Sequence, residues 1–253
     1  MKKPSFLGNE KPIVCSMLQA DNPTRVLELM EKSRTLGADA FGMQLCKLKG
    51  EYRNEEAYKS LFRAAGDKPT YITNYRHTAN DGKSDEVLAD ELVAIAKCGA
   101  TLIDVMGDYF DKTEGELTKN PEAIEKQMKL IDSLHEVGAE VLMSSHVLKF
   151  TPAEKVLEIA LAHQARGADI SKIVVGASNM AEQIENLRII NLLRENLKIP
   201  FLFLSGGECR IIRRIGGELG CCMYLAVAEH DELSTPAQPL LADIVKINEV
   251  FFQ

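Results

Sequence analysis

Two residues stand out as candidates for chemistry. Lys172 lies in an apolar run, Ser171-Lys172-Ile173-Val174-Val175, and His146 closes another, Val141-Leu142-Met143-Ser144-Ser145-His146. An amine among apolar neighbours loses part of the hydration that stabilises its charge, and the neutral form attacks a ketone or aldehyde. The iminium that results draws electrons from the adjacent carbon, so a C–H or C–C bond there breaks more easily. A histidine titrates near neutral pH and can move the protons this requires. Each residue alone has a plainer reading: a snorkelling lysine at a strand start and a hydrogen-bonded histidine at a strand end. On neighbouring strands they point together to a Schiff-base site. Of the adjacent Arg213 and Arg214, only one can face such a site, and a guanidinium fork suits a carboxylate. Arg76 lies near another strand end. Asp104, His146 and Glu208 are too few for a divalent metal, so no metal and no cofactor is expected.

The elements that position these residues alternate along the chain. Apolar runs of strand length begin at Pro12, Ala40, Pro69, Thr101, Glu140, Ser171, Pro200 and Cys221. Near-continuous apolar runs suit strands covered on both faces of a parallel sheet. Helical patterns begin near Asn22, Asn54, Ser84, Asn120, Thr151, Asn179, Glu208 and Gln238. Asn22-Pro23 and Asn120-Pro121 place a capping residue before a first-turn proline, and Thr151-Pro152-Ala153-Glu154 reads as a capping box. The turns LGAD, CGAT, VGAE and RGAD supply glycine where a helix ends. Eight strand–helix units in 253 residues predict one (β/α)8 barrel over residues 1–253. A doubly wound sheet is the runner-up, but the first turn, SMLQADNP, lacks its glycine-rich phosphate fingerprint. In a barrel, chemistry belongs at the C-terminal strand ends, where Gln44, Arg76, Asp104, Ser144, His146, Ser205 and Glu208 lie. Lys172 is near the start of its run and is expected to point inward.

At these residues the chain resembles the type I 3-dehydroquinate dehydratase family, the Schiff-base lyases of the shikimate pathway to aromatic amino acids. MSSHVLKFTP is similar to the family segment that carries the catalytic histidine, which puts that role on His146. GADISKIVV is similar to the segment with the Schiff-base lysine, which puts it on Lys172. Ser234-Thr235-Pro236-Ala237-Gln238 resembles the S-A-P-G-Q loop, whose serine and glutamine contact substrate. Arg214 takes the place of the carboxylate-binding arginine of S-R-x-x-G-E. Thr73-Asn74-Tyr75-Arg76 resembles a T-x-R segment, with Arg76 as the pocket arginine. Asp104 matches the aspartate of I-D-x-E. The chain departs from the family where Gly42-Met43-Gln44 replaces E-x-R, Asn80 replaces the glutamate of E-G-G that orients the histidine, and Met106 replaces the glutamate of I-D-x-E. Asp81 can substitute for that glutamate only if its loop shifts by one residue. Loss of a buried partner for a substrate hydroxyl changes discrimination by orders of magnitude.

The resemblance implies a dehydratase acting on 3-dehydroquinate or a close cyclic keto acid, with Gln44 and Asn80 in the altered part of the pocket, and it implies a homodimer. The alternatives are a Schiff-base aldolase or isomerase on another keto compound, and a diverged small-acid binder without turnover. Bulk properties agree with a small-molecule partner. A net charge of −7, from 37 acidic and 30 basic residues, argues against a nucleic-acid or membrane-surface binder. No apolar run reaches the length of a membrane span, and MKKPSFLGNEKP has no apolar core of a secretory signal. The six cysteines are scattered without a C-x-x-C pair, as expected of free thiols in a cytoplasmic protein.

Overall fold

Period-two alternation decides which strand residues meet at the barrel axis. The computed structural model describes residues 4–252; Met1–Lys3, the start of the N-terminal stretch considered above, and Gln253 lie outside the described residues. Eight parallel strands, β1 (Ile13–Leu18), β2 (Ala40–Gln44), β3 (Thr70–Thr73), β4 (Leu102–Met106), β5 (Glu140–His146), β6 (Ile170–Ala177), β7 (Phe201–Gly207) and β8 (Met223–Ala226), form one sheet. Its order is β7-β6-β5-β4-β3-β2-β1-β8. The seam between β7 and β8 is bridged by the Cys222 N–H donating to the Phe201 carbonyl at 2.9 Å. This is the expected (β/α)8 barrel.

The outward faces of the strands pack against helices: Val14, Phe41, Ile72, Ile103 and Val141 with residues such as Leu29, Leu61 and Leu92, and Ile173, Val175 and Phe203 of β6 and β7 with Val156 and Ile189. The alternate residues point inward. Ile13, Leu102, Leu142, Ile170 and Leu202 fill the lower barrel, where Phe6 stacks edge-on against Tyr71 at 6.5 Å. All eight residues of β6 are buried, Lys172 among them.

The helices are α1 (Pro23–Thr35), α2 (Glu55–Ala65), α3 (Asp85–Lys97), α4 (Pro121–Glu136), α5 (Ala153–Ala165), α6 (Met180–Asn196), α7 (Ile212–Ile215) and α8 (Leu241–Phe251). Asn22, Asn54, Ser84, Asn120 and Asn179 cap as expected, each side chain accepting a first-turn N–H. Gly37, Gly99, Gly138 and Gly167 take left-handed φ between 81° and 110°, which ends the helix before the next strand.

Three helix starts differ from expectation. The capping box at Thr151 does not form: α5 is preceded by Pro152 with no side-chain cap. Glu185 of α6 instead accepts the Ala153 N–H at 3.3 Å, a tertiary partner that the local pattern cannot reveal. The helix expected near Glu208 is four residues long and starts at Ile212, because β7 runs on through Gly207. The last helix starts at Leu241 rather than Gln238, because Gln238-Pro239-Leu240 first forms a bridge from Leu240 to Val227. Among the described residues, no helix is long and apolar enough to cross a membrane.

Candidate active site

The strands pair so that Ser144 lies beside Lys172 and His146 beside Val174. Lys172 and His146 therefore face inward one layer apart. Above the Lys172 layer, at the C-terminal ends of the strands, opens a cavity of about 570 Å³, lined in part by Lys172, His146, Tyr75, Glu116, Arg213 and Gln238.

Lys172 is 4% exposed. Its Nζ donates to the hydroxyls of Tyr75 at 2.7 Å and Tyr71 at 3.0 Å and to Asp104 Oδ2 at 3.1 Å. Asp104 is buried beneath it and also accepts from Tyr71, Tyr75 and Ser144. Burial pushes the Asp104 carboxyl up, but the charges of Lys172 and His146 with the Ser144 and Tyr71 hydrogen bonds hold it below its ordinary value, so it is ionised. Burial, with the neighbouring Asp104 charge, pushes Tyr71 and Tyr75 well above the ordinary tyrosine range, so both keep their hydroxyl protons.

His146 is held by Glu116. Glu116 Oε2 accepts from His146 Nδ1 at 2.6 Å and from its backbone N–H at 3.2 Å. A carboxylate on Nδ1 fixes the tautomer and leaves Nε2 free to act as a base. Glu116 sits in the β4–α4 loop at φ 51°, a left-handed conformation that is uncommon for a residue with a side chain. The loop is tied down from behind. Ser145 donates to the Glu116 carbonyl at 2.6 Å, and Arg166 donates to the carbonyls of Gly107 at 2.7 Å and Thr118 at 2.6 Å. His163, fully buried between Ser145 and Ser171, completes this support; burial, aided by Arg166, lowers its pKa to about 3 and keeps it neutral.

Several residues singled out in the sequence lie elsewhere than expected. Arg214 is exposed, whereas Arg213 is buried, lines the cavity and donates through Nε to the Ser205 carbonyl at 2.7 Å. One step along α7 turns a side chain by about 100°, so only one of the pair can face inward. Arg76 borders the cavity, but its guanidinium is engaged with Asp85 at 2.6 and 2.7 Å and with Asp108 at 2.7 Å. Those carboxylates outweigh burial and raise its pKa further, so Arg76 braces β3 to the β4–α4 loop instead of presenting a free cation. Counted from Thr73, the T-x-R spacing falls on Tyr75, the residue that does enter the site.

Ser234 turns away from the cavity, its hydroxyl closing a turn with the Asp231 backbone. Thr235 lines the cavity instead and pairs with Gln19, which also donates to Gln44 at 2.7 Å. Asn80 is buried outside the cavity lining and donates to the Tyr75 carbonyl at 2.9 Å, so it supports Tyr75 rather than meeting a ligand. Asp81 is exposed, and the carboxylate on His146 is that of Glu116. Gln44 and Gln238 do line the cavity. Gln238 is 7% exposed, and its buried side-chain oxygen has no hydrogen-bond partner among the described residues, nor has that of Thr73. Beside Gly42 the space is taken: a Cβ there would lie 2.2 Å from the Met17 sulfur.

Tyr71, Tyr75, Glu116, Arg213, Thr235 and Gln19 were not singled out from the sequence as site residues. The spacing from Thr73 pointed to Tyr75, and the length of the loop after β4, on the face where barrels carry function, was a signal for Glu116.

Comparison with known proteins bears on what this arrangement does. A family model for type I 3-dehydroquinase matches residues 14–253. The chain is 30% identical to a 3-dehydroquinate dehydratase of Syntrophotalea carbinolica over 199 residues, covering 76% of this chain and 74% of the relative. It is 24% identical over 261 residues to the 3-dehydroquinate dehydratase of Geobacillus thermodenitrificans, covering 98% and 94%. The crystal structure of 3-dehydroquinate dehydratase from Geobacillus kaustophilus shares the fold at a TM-score of 0.80 and 19% identity, over 96% of this chain and 92% of that one.

Proposed function

The chain belongs to the type I 3-dehydroquinase family, and from that premise we propose that it dehydrates 3-dehydroquinate, or a close cyclic keto acid, through an imine on Lys172. The observation that carries this reading is the buried Lys172 amine beside Asp104, opening on the same cavity as a histidine held by a carboxylate. In the proposed sequence the Lys172 amine adds to the ketone and water leaves. His146 Nε2 removes a proton from the carbon next to the iminium, and the imidazolium then protonates the departing hydroxyl. Arg213, buried and with no carboxylate ion pair among the described residues, is the proposed partner of the substrate carboxylate. The unpartnered Gln238 oxygen accepts from a substrate hydroxyl, and the loop with Thr235 and Gln238 excludes water.

The test is borohydride reduction in the presence of 3-dehydroquinate followed by peptide mass spectrometry, beside an ultraviolet assay for the conjugated product. An adduct on Lys172, and its loss in Lys172→Ala, is expected. An adduct on another residue, or turnover that survives Lys172→Ala, overturns the reading.

Met17 favours the analogue over 3-dehydroquinate itself. Its sulfur fills the space above Gly42, where the family has a glutamate, and neutral Gln44 stands where the family has an arginine. A keto acid lacking a ring hydroxyl on that side then reacts with higher kcat/KM than 3-dehydroquinate, and equal or lower values for every such analogue would exclude this version.

A further inference from the structure

We propose that Tyr75 is a catalytic residue that relays protons between the Lys172 nitrogen and the substrate's carbonyl oxygen while the imine forms and is hydrolysed. The proposal rests on the imine reading above and adds a residue to it.

Proton accounting requires such a group. An ammonium and a ketone give an iminium and water. Of the three ammonium protons, one stays on nitrogen and two leave with the carbonyl oxygen. One is shed from nitrogen before its lone pair attacks the carbonyl carbon and the C=O π pair moves onto oxygen. Another is shed from nitrogen as the carbinolamine becomes neutral. Both end on oxygen, and expulsion of water by the nitrogen lone pair then closes C=N. Direct transfer from nitrogen to oxygen passes through a strained four-membered arrangement. A hydroxyl that accepts from nitrogen while donating to oxygen removes that strain and is itself unchanged at the end.

Tyr75 occupies that place. Its hydroxyl accepts from Lys172 Nζ at 2.7 Å and donates to Asp104 Oδ2 at 2.8 Å, a proton that turns to the substrate's oxygen in the relay, and its side chain borders the cavity. Its ring lies edge-on to His146, 5.3 Å between centroids, so it touches both the amine and the proposed base. Asn80 fixes its backbone carbonyl. Burial and the Asp104 charge disfavour a free phenolate, so loss and gain of the proton are concerted. The other groups near the amine are worse placed. Asp104 is 1% exposed, lies beneath the amine and already accepts from Ser144, Tyr71 and Tyr75. Tyr71 is fully buried, with its ring set against Phe6 below. His146, whose free Nε2 is the proposed base at the adjacent carbon, makes no hydrogen bond to Lys172 Nζ among the described residues, its Nδ1 being held by Glu116.

The experiment is rapid-quench borohydride trapping of 3-dehydroquinate on wild type, Tyr75→Phe and Tyr71→Phe, with exchange of ¹⁸O from the ketone into water followed in parallel. Tyr75→Phe is expected to slow both adduct formation and exchange by about 100-fold, within the range for a lost acid–base group. The final amount of adduct stays near that of wild type, and Tyr71→Phe slows the step less than tenfold. Tyr75→3-fluorotyrosine keeps the size and the hydrogen bonds with a more acidic hydroxyl. The alkaline limb of its trapping rate moves to lower pH. The titratable groups facing this hydroxyl, Lys172, Asp104, Tyr71, His77 and His146, are unchanged in that variant. Trapping by Tyr75→Phe at the wild-type rate, or an unmoved alkaline limb, overturns the relay alone. Absence of any Lys172 adduct in the wild type overturns the imine reading and the relay with it.

Discussion

Arg213 is a buried guanidinium that donates to the Ser205 carbonyl and has no carboxylate partner among the described residues, and burial lowers its pKa to about 10. A carboxylate arriving in the cavity supplies the missing countercharge. Truncating one partner of a buried charge pair costs about 2–5 kcal/mol, so Arg213→Ala raises KM for the keto acid roughly 100-fold. Arg214→Ala, on the exposed side of the same turn, stays within about twofold. Steady-state kinetics on the two variants decide the matter, and a large effect confined to Arg214 would reverse the assignment. The sequence could not separate these neighbours, because α7 is too short to show a periodicity. Lys172 and His146 were singled out as a pair: each alone has a plainer reading, and their strands, placed side by side by the alternating pattern, do pair in the barrel. Tyr71 and Tyr75 were hidden, since tyrosine in or beside a strand reads as an ordinary strand former.

The β4–α4 loop carries the site's least legible part. Barrel rhythm, caps and turn glycines made the strands and most helices readable, because each is set by local chemistry. A loop has no period, and what holds this one is tertiary: Arg166 and Gln127 on helical elements, Ser145 on β5, and close packing at Gly107. A Cβ on Gly107 would come within 2.5 Å of the Glu116 carbonyl oxygen and 3.0 Å of Ser145 Oγ. Gly107→Ala therefore displaces the segment that aims Glu116 at His146, with overpacking of about 1–3 kcal/mol. The expected result is a kcat lower by at least tenfold with Lys172 still trapped by borohydride, because the proposed imine step does not involve Glu116. Glu116→Gln tests the same link without moving the loop. Losing the charge on Nδ1 lowers kcat roughly 100-fold, by the usual worth of an oriented acid–base group. If both variants turn over as the wild type does, the carboxylate does not position the base.

His163 ties the site's scaffold to the acid stability of the barrel. In the unfolded chain it takes up a proton below its ordinary pKa of 6.5, whereas in the folded barrel burial beside Arg166 holds the pKa near 3. Between those values the unfolded state binds more protons, so acidification favours unfolding. The stability contributed by neutral His163 is fully present above about pH 6.5 and is lost progressively as the pH falls toward 3, at up to about 1.4 kcal/mol per pH unit. The cleanest window is pH 5 to 6.5, above the ordinary range of the carboxylates, although Asp108, whose pKa burial raises, opposes the trend. His77, also lowered by burial and by Lys47, acts in the same direction but is exposed at the cavity mouth and contributes less. Urea unfolding across this window should give a wild-type stability that rises with pH. In His163→Gln, which keeps a side-chain N–H toward Ser145 but cannot titrate, stability at pH 7 is lower and the slope is substantially flatter, whereas His77→Gln leaves the slope nearly intact. A slope that His163→Gln does not change would mean that acid sensitivity arises elsewhere in the barrel, and that protonation of His163 is not what loosens the support beneath Glu116.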